Sequence, residues 1–499
     1  MTVLSVRSFF CAGLILLLLF TCGISAKTIP PTDTLDGFDE FITQKMADFD
    51  VPGVVVGIIE NDTVVYLKGF GVRELGKPEK VDPDTRFQIA SVTKYFTGGA
   101  IGTLVDEGKL DWDTPVAEYL PGFTLKDPYV GNHSNLRDLL AHRTGLRRDG
   151  ELLGRIGISN DEILYRMRFL ESDAGFRERY LYSNAGYFIA GEVAAQAYGK
   201  SWENLTDERL IVPLGMTRSG ARHETLYLDD NHITGHASTP DGTLEIIPFE
   251  EASLPAAGQI VSTGRDMTQW IRLMLNNGTI EGTMVLSPKT VEDIHAASFV
   301  AGPSGPLHDP NGAVGLGCDS YYFLDERVIE KNGALDGVRS IVVLIPGKKS
   351  GIVVIANKQL TAFPEAVRDE FLERYIGRSG NDLQALELRN QKGWNSLIKN
   401  PERPDNPGPA TISPAVITGV YASPLYGSIQ IDLGPDAEHM IIGLGQNRYQ
   451  GNLVHWTDNT WYLSFPNPDD LVGYLTFIAD ESGTVTGIES NEFGPFSRA

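Results

Sequence analysis

The stretch Phe87-Gln88-Ile89-Ala90-Ser91-Val92-Thr93-Lys94-Tyr95-Phe96-Thr97-Gly98 passes from an apolar, strand-like triplet into a helical pattern, with a serine at the change. Beyond it Phe96, Ala100 and Leu104 recur on one helical face until Gly108 stops the run. Residues three apart on a helix share a face, so Lys94 can reach the Ser91 hydroxyl. The helix N-terminus also favours negative charge beside Ser91. A capping serine would look the same in isolation. A second Ser-x-x-Lys, Ser396-Leu397-Ile398-Lys399, lies in polar sequence before Asn-Pro and has no partner residues after it, which leaves Ser91 as the candidate nucleophile.

Working outward, two further motifs fit the same chemistry. Tyr182-Ser183-Asn184 precedes a helical pattern over 187–198 that Gly199 is placed to end. In extended chain Tyr182 and Asn184 point the same way. A tyrosine serves as a base only where nearby cations depress its pKa, and as a packed side chain otherwise. Lys331-Asn332-Gly333 is expected to end a strand. Small residues follow it and let backbone approach a ligand. Its competitor, Lys349-Ser350-Gly351, falls in the hairpin turn after Pro346-Gly347 and reads as a solvated turn lysine.

The rest of the pattern is α+β. Residues 54–71 read as a hairpin turning at Asn61-Asp62, and 327–330, 340–345 and 351–356 as an antiparallel meander, with a helix over 364–375 closing the unit. Residues 379–414 are polar and proline-rich and read as a linker. Short strands over 428–433, 439–444, 452–456, 460–465 and 474–478 predict a small all-β domain over 415–499, a barrel or a sandwich.

In this order the three motifs resemble those of the serine β-lactamase and penicillin-binding protein superfamily. The closest branch holds class C β-lactamases, D-alanyl-D-alanine carboxypeptidases, D-aminopeptidases and related esterases. Residues 87–98, 104–110 and 137–146 add to the resemblance, which covers roughly 35–378. It implies a β-lactamase/transpeptidase-like fold, an antiparallel sheet flanked by helices, and an acyl-enzyme on Ser91. Lys94, Tyr182 or both would act as base, and Lys331 would anchor substrate or supply positive potential. Asn184 would bond substrate or Lys94, and the backbone at Ser91, Gly333 and Ala334 would form the oxyanion hole. Asn332 stands where the family has threonine, which weakens the expectation of classical β-lactam recognition. His142 looks structural. Neither a cofactor nor a metal is implied. Secreted relatives include the gigasin-type components of mollusc shell matrix, which makes an extracellular or mineral matrix role the alternative.

Composition bounds the partners. With 499 residues two domains are expected. The net charge of −23 disfavours nucleic acid and leaves a small-molecule or peptide substrate. Arg7 and the apolar run 9–20, closed by Gly23, Ser25 and Ala26, read as a signal peptide over 1–26, too short for a stable membrane span. The chain is therefore expected to be secreted, or periplasmic if bacterial. Cys11 and Cys22 would leave with that signal, so Cys318 would have no disulfide partner. Asn61, Asn132, Asn204 and Asn277 occupy glycosylation sequons.

Overall fold

The computed structural model describes residues 34–147, 152–239, 241–249, 254–397, 401, 403–436, 438–445, 449–465 and 472–499. The signal expected over 1–26 lies outside the described residues.

An eight-stranded antiparallel sheet organises the first unit. Its strands are β1 (Gly53–Glu60), β2 (Thr63–Gly71), β3 (Phe299–Val300), β4 (Ala313–Val314), β5 (Asp319–Phe323), β6 (Glu326–Leu335), β7 (Val338–Ile345) and β8 (Ser350–Ala356), in the order 2-1-8-7-6-5-4-3. The β1–β2 turn places Asn61 and Asp62 at φ 48° and 65°, the left-handed pair a tight hairpin favours. Alternation along the central strands sends side chains to two separate cores. Val55, Ile59, Val342, Leu344, Val353 and Ile355 face one side, with the helix Gly264–Leu275. Val54, Ile58, Ile341, Val343, Ile352 and Val354 face the other, under the helices Phe38–Asp48 and Phe363–Tyr375. Burial on both faces is why these strands read as unbroken apolar runs.

Two expectations need correction. Lys331-Asn332-Gly333 does not end a strand, because β6 continues to Leu335. The segment 379–414 is not all linker, since it holds the helix Leu383–Leu397. That helix docks through Leu383, Leu388 and Trp394, and also through polar groups that carry no apolar period. Gln384 donates to the Ala366 carbonyl, and Gln391 both donates to Leu360 O and accepts from Ala362 N. Ser396 lies in its last turn, and Lys399 lies outside the described residues.

The C-terminal unit is a closed barrel of eight antiparallel strands, not a sandwich. The strand Gly419–Ser423 closes it against Phe496–Arg498. Inward residues such as Tyr421, Ile431, Met440, Leu453, Trp461, Leu475 and Phe477 fill it. Arg147 ties the units together by donating to the carbonyls of Asn491 and Glu492.

Candidate active site

Ser91 lies in a single 3₁₀ turn, Ala90–Val92, between the strand Arg86–Gln88 and the helix Thr93–Asp106. The turn is held from both ends. Ile89 N–H donates to Ile260 O, and the Ser340 hydroxyl donates to Ile89 O at 2.7 Å. Ala90 adopts φ 50°, a left-handed conformation that costs a non-glycine residue about 1–2 kcal/mol. The following helix is not amphipathic as the periodicity suggested. Every residue from Thr93 to Leu104 is buried, the signature of a central helix. Gly98 permits this, since a Cβ there would stand 2.1 Å from Leu316 O.

Two of the other three proposed catalytic side chains meet directly at the serine. Lys94 Nζ donates to Ser91 Oγ at 3.1 Å and to the Ala257 carbonyl at 2.7 Å. The Tyr182 hydroxyl lies 2.9 Å from Ser91 Oγ. Lys94 is fully buried, with its ammonium 5.0 Å from the Tyr182 ring centre and 5.3 Å from that of Tyr187. Lys331 completes the group from strand β6, 5.7 Å from the Tyr182 ring centre. Burial pushes the Tyr182 phenol up, but the Lys94 and Lys331 charges and hydrogen bonds from Lys94 and Ser91 outweigh it, leaving it below its ordinary value.

The β6 edge next to the serine is open. Strand β5 pairs with β6 only from Glu326 to Glu330, whereas β7 follows it to Leu335. From Lys331 onward one side of β6 therefore has no strand partner among the described residues. Gly333 brings this strand against the nucleophile: a Cβ there would lie 2.9 Å from Ser91 N, 2.6 Å from Ile89 O and 2.5 Å from Ser340 Oγ. Ala334 follows it on the open edge, where a backbone N–H can join that of Ser91 in stabilising an oxyanion, each such donor being worth about 3 kcal/mol. Asn184 opens the helix Asn184–Tyr198, and its buried Oδ1 has no partner among the described residues. It does not bond Lys94 in this structure.

Two residues were not given their part by sequence reasoning. His142, read as structural, brackets Tyr182: its carbonyl accepts from Leu181 N–H at 2.9 Å and its Nδ1 accepts from Ser183 N–H at 3.1 Å. Its ring lies 4.5 Å from that of Tyr182. Burial and the Lys331 and Lys94 charges hold its pKa well below the ordinary value, so it is neutral with the proton on Nε2. Asp319, which no motif marks, opens β5 and places Oδ2 3.5 Å from Lys331 Nζ. Burial alone would lower the Lys331 pKa, but Asp319 and Tyr182 reverse this and keep it charged. Burial lifts the Asp319 carboxyl above its ordinary value, against the pull of Lys331.

The remaining candidates lie elsewhere. Lys349 sits in the β7–β8 turn at φ 48°. Asn61, Asn132 and Asn277 are exposed, whereas Asn204 is half-buried in a helix and accepts from Arg222 at 2.8 Å. Cys318 is buried beneath the site and its thiol is pushed up by that burial. Among the described residues no His, Cys, Asp or Glu group is arranged to hold a metal ion, and no helix is long and apolar enough to cross a membrane.

The profile of the Beta-lactamase family matches residues 38–375, the unit that carries this site. The chain belongs to the beta-lactamase family. It is 24% identical over 443 residues to Unguisins hydrolase ungD of Aspergillus violaceofuscus, covering 80% of this chain and 77% of that protein. It is 25% identical over 341 residues to Protein flp of Staphylococcus aureus, covering 67% of this chain and 65% of that protein. The octameric penicillin-binding protein homologue from Pyrococcus abyssi superposes with a TM-score of 0.62 at 22% identity, over 93% of this chain and all of that one. The beta-lactamase/transpeptidase-like fold with a C-terminal barrel is thus shared, and the first domain is serine-hydrolase-like.

Proposed function

We propose that the chain is a secreted serine hydrolase that forms an acyl-enzyme on Ser91 and acts on an ester, amide or D-amino-acid peptide. The observation that carries this reading is that Ser91 Oγ lies within hydrogen-bond reach of both Lys94 Nζ and the Tyr182 hydroxyl. Tyr182, with its phenol depressed by two lysines, takes the serine proton as Oγ attacks the carbonyl. Lys94 holds Oγ in line and keeps positive charge beside the developing anion. The N–H groups of Ser91 and Ala334 receive the oxyanion. The proton on Tyr182 passes to the leaving group; water then attacks the acyl-serine and gives a proton to Tyr182, which returns it to Ser91 Oγ as the acyl–oxygen bond breaks.

Hydrolase relatives at low identity support the reaction class, and the open β6 edge supports an extended, peptide-like substrate. Secretion is supported by the apolar run 9–20, and glycosylation by the exposure of Asn61, Asn132 and Asn277. The test is covalent: a fluorophosphonate should add to Ser91, as read by peptide mass spectrometry, and should not add to Ser91→Ala. An unlabelled wild-type protein would sink the proposal.

A further inference from the structure

Lys331 is the cation that the site offers at the β6 end of the cleft, yet it is already matched within the protein. Its side chain is 6% exposed and lies 3.5 Å from Asp319 Oδ2, while Asp319 keeps 29% of its own side chain open. The meeting takes place at a strand end: Asp319 is the first residue of β5, opposite Glu330, at the point where β5 stops covering β6. The open edge that a substrate would follow therefore ends at a carboxylate. Asn332, on the same strand, offers an amide where the family has a hydroxyl, and it projects to the opposite face from Lys331 and Gly333.

Resting on the hydrolase reading above, we propose that Asp319 is a specificity-determining residue that excludes acyl donors bearing a carboxylate at the Lys331 end and admits those without one. A substrate carboxylate approaching Lys331 meets a fixed like charge and must compete with Asp319 for the ammonium. A neutral group there meets neither obstacle, and an ammonium group finds the accessible side of Asp319. Selectivity built from a repulsive element needs no tighter contact with the favoured substrate.

The test uses the full chain and three p-nitrophenyl esters of matched acyl length: hexanoate, 6-aminohexanoate and adipate, whose chains are too long for rapid ring closure onto the ester. Fluorophosphonate titration of Ser91 first fixes the number of active sites in each protein. Wild type should show kcat/KM for the adipate ester about tenfold or more below the other two, since like charges brought together cost free energy. Asp319→Asn should raise the adipate-to-hexanoate ratio about tenfold, and Asp319→Glu should keep it near wild type. A wild type that prefers the adipate ester overturns the proposal, even where a variant fails to fold. So does an unchanged ratio in a titratable Asp319→Asn. No labelling of the wild type defeats the hydrolase reading and takes this inference with it, whereas labelling with an unchanged ratio defeats the inference alone.

Discussion

His142 holds the backbone on both sides of Tyr182, through its own carbonyl to Leu181 and its Nδ1 to Ser183. It does this from φ 56°, a conformation that histidine adopts at a cost. One residue thus sets both the depth and the direction of the phenol aimed at Ser91. His142→Ala should lower kcat about 10- to 100-fold with a smaller change in KM, since a displacement near 1 Å is enough for such a loss. His142→Gln, which retains a side-chain acceptor, should recover part of it. Steady-state kinetics, with circular dichroism as a check on folding, reads both.

Tyr182 should govern the pH profile. Its phenol lies below its ordinary value because Lys94 and Lys331 outweigh burial. Deprotonation generates the base, so kcat/KM rises with pH, with a midpoint below the ordinary tyrosine range. Replacing Lys331 by Met removes one cation, raises the phenol pKa and moves the rising limb to higher pH. Tyr182→Phe should remove the limb and reduce kcat about 10²- to 10⁴-fold.

Gly333→Ala tests the contact between β6 and the nucleophile. The added methyl meets Ser340 Oγ, Ile89 O and Ser91 N at 2.5–2.9 Å, all backbone or fixed side-chain atoms. Stability should fall by about 1–3 kcal/mol and Ser91 labelling should slow sharply. Thermal melts and labelling rates separate the two effects.

Asp369 predicts a stability profile remote from catalysis. It is fully buried, and burial pushes its carboxyl up to about 7 although Arg368 Nε donates to it at 2.6 Å. The folded protein binds this proton more tightly than the unfolded chain. The linked contribution is therefore favourable at low pH and is lost as pH rises from about 4 through 7. Asp369→Asn keeps an acceptor for Arg368 without the charge. Its Tm should be less dependent on pH across that window and exceed wild type by a few degrees at pH 8.

Much of this was legible in the sequence, for reasons that differ by residue. Ser91 and Lys94 are local to one helical turn, so spacing alone relates them. The β1–β2 hairpin and strands β7 and β8 are apolar runs bounded by turn residues, and Gly199, at φ 78°, ends its helix where expected. Asp319 was invisible because it meets Lys331 only through the packing of two strands at the end of β5, which spacing does not reveal. His142 was read as structural, but what it holds was not legible, because its work is done by hydrogen bonds to backbone, for which side-chain chemistry gives no sign. The helix Leu383–Leu397 escaped because its docked face mixes Leu383, Leu388 and Trp394 with Gln384, Glu387 and Gln391, which breaks up the apolar stripe that would have been the signal.

The turn that carries Ser91 is fixed by Ile260, Ser340 and the left-handed Ala90, and none of these contacts passes through the Ser91 hydroxyl. Deleting that oxygen should therefore leave the mould intact while stopping the reaction. A Ser91→Ala protein becomes bait: incubated with an extract, it should retain uncleaved substrate for recovery by mass spectrometry or for viewing in a crystal. The same rigidity that aims the nucleophile makes the disarmed protein a reagent for naming what the armed one cuts.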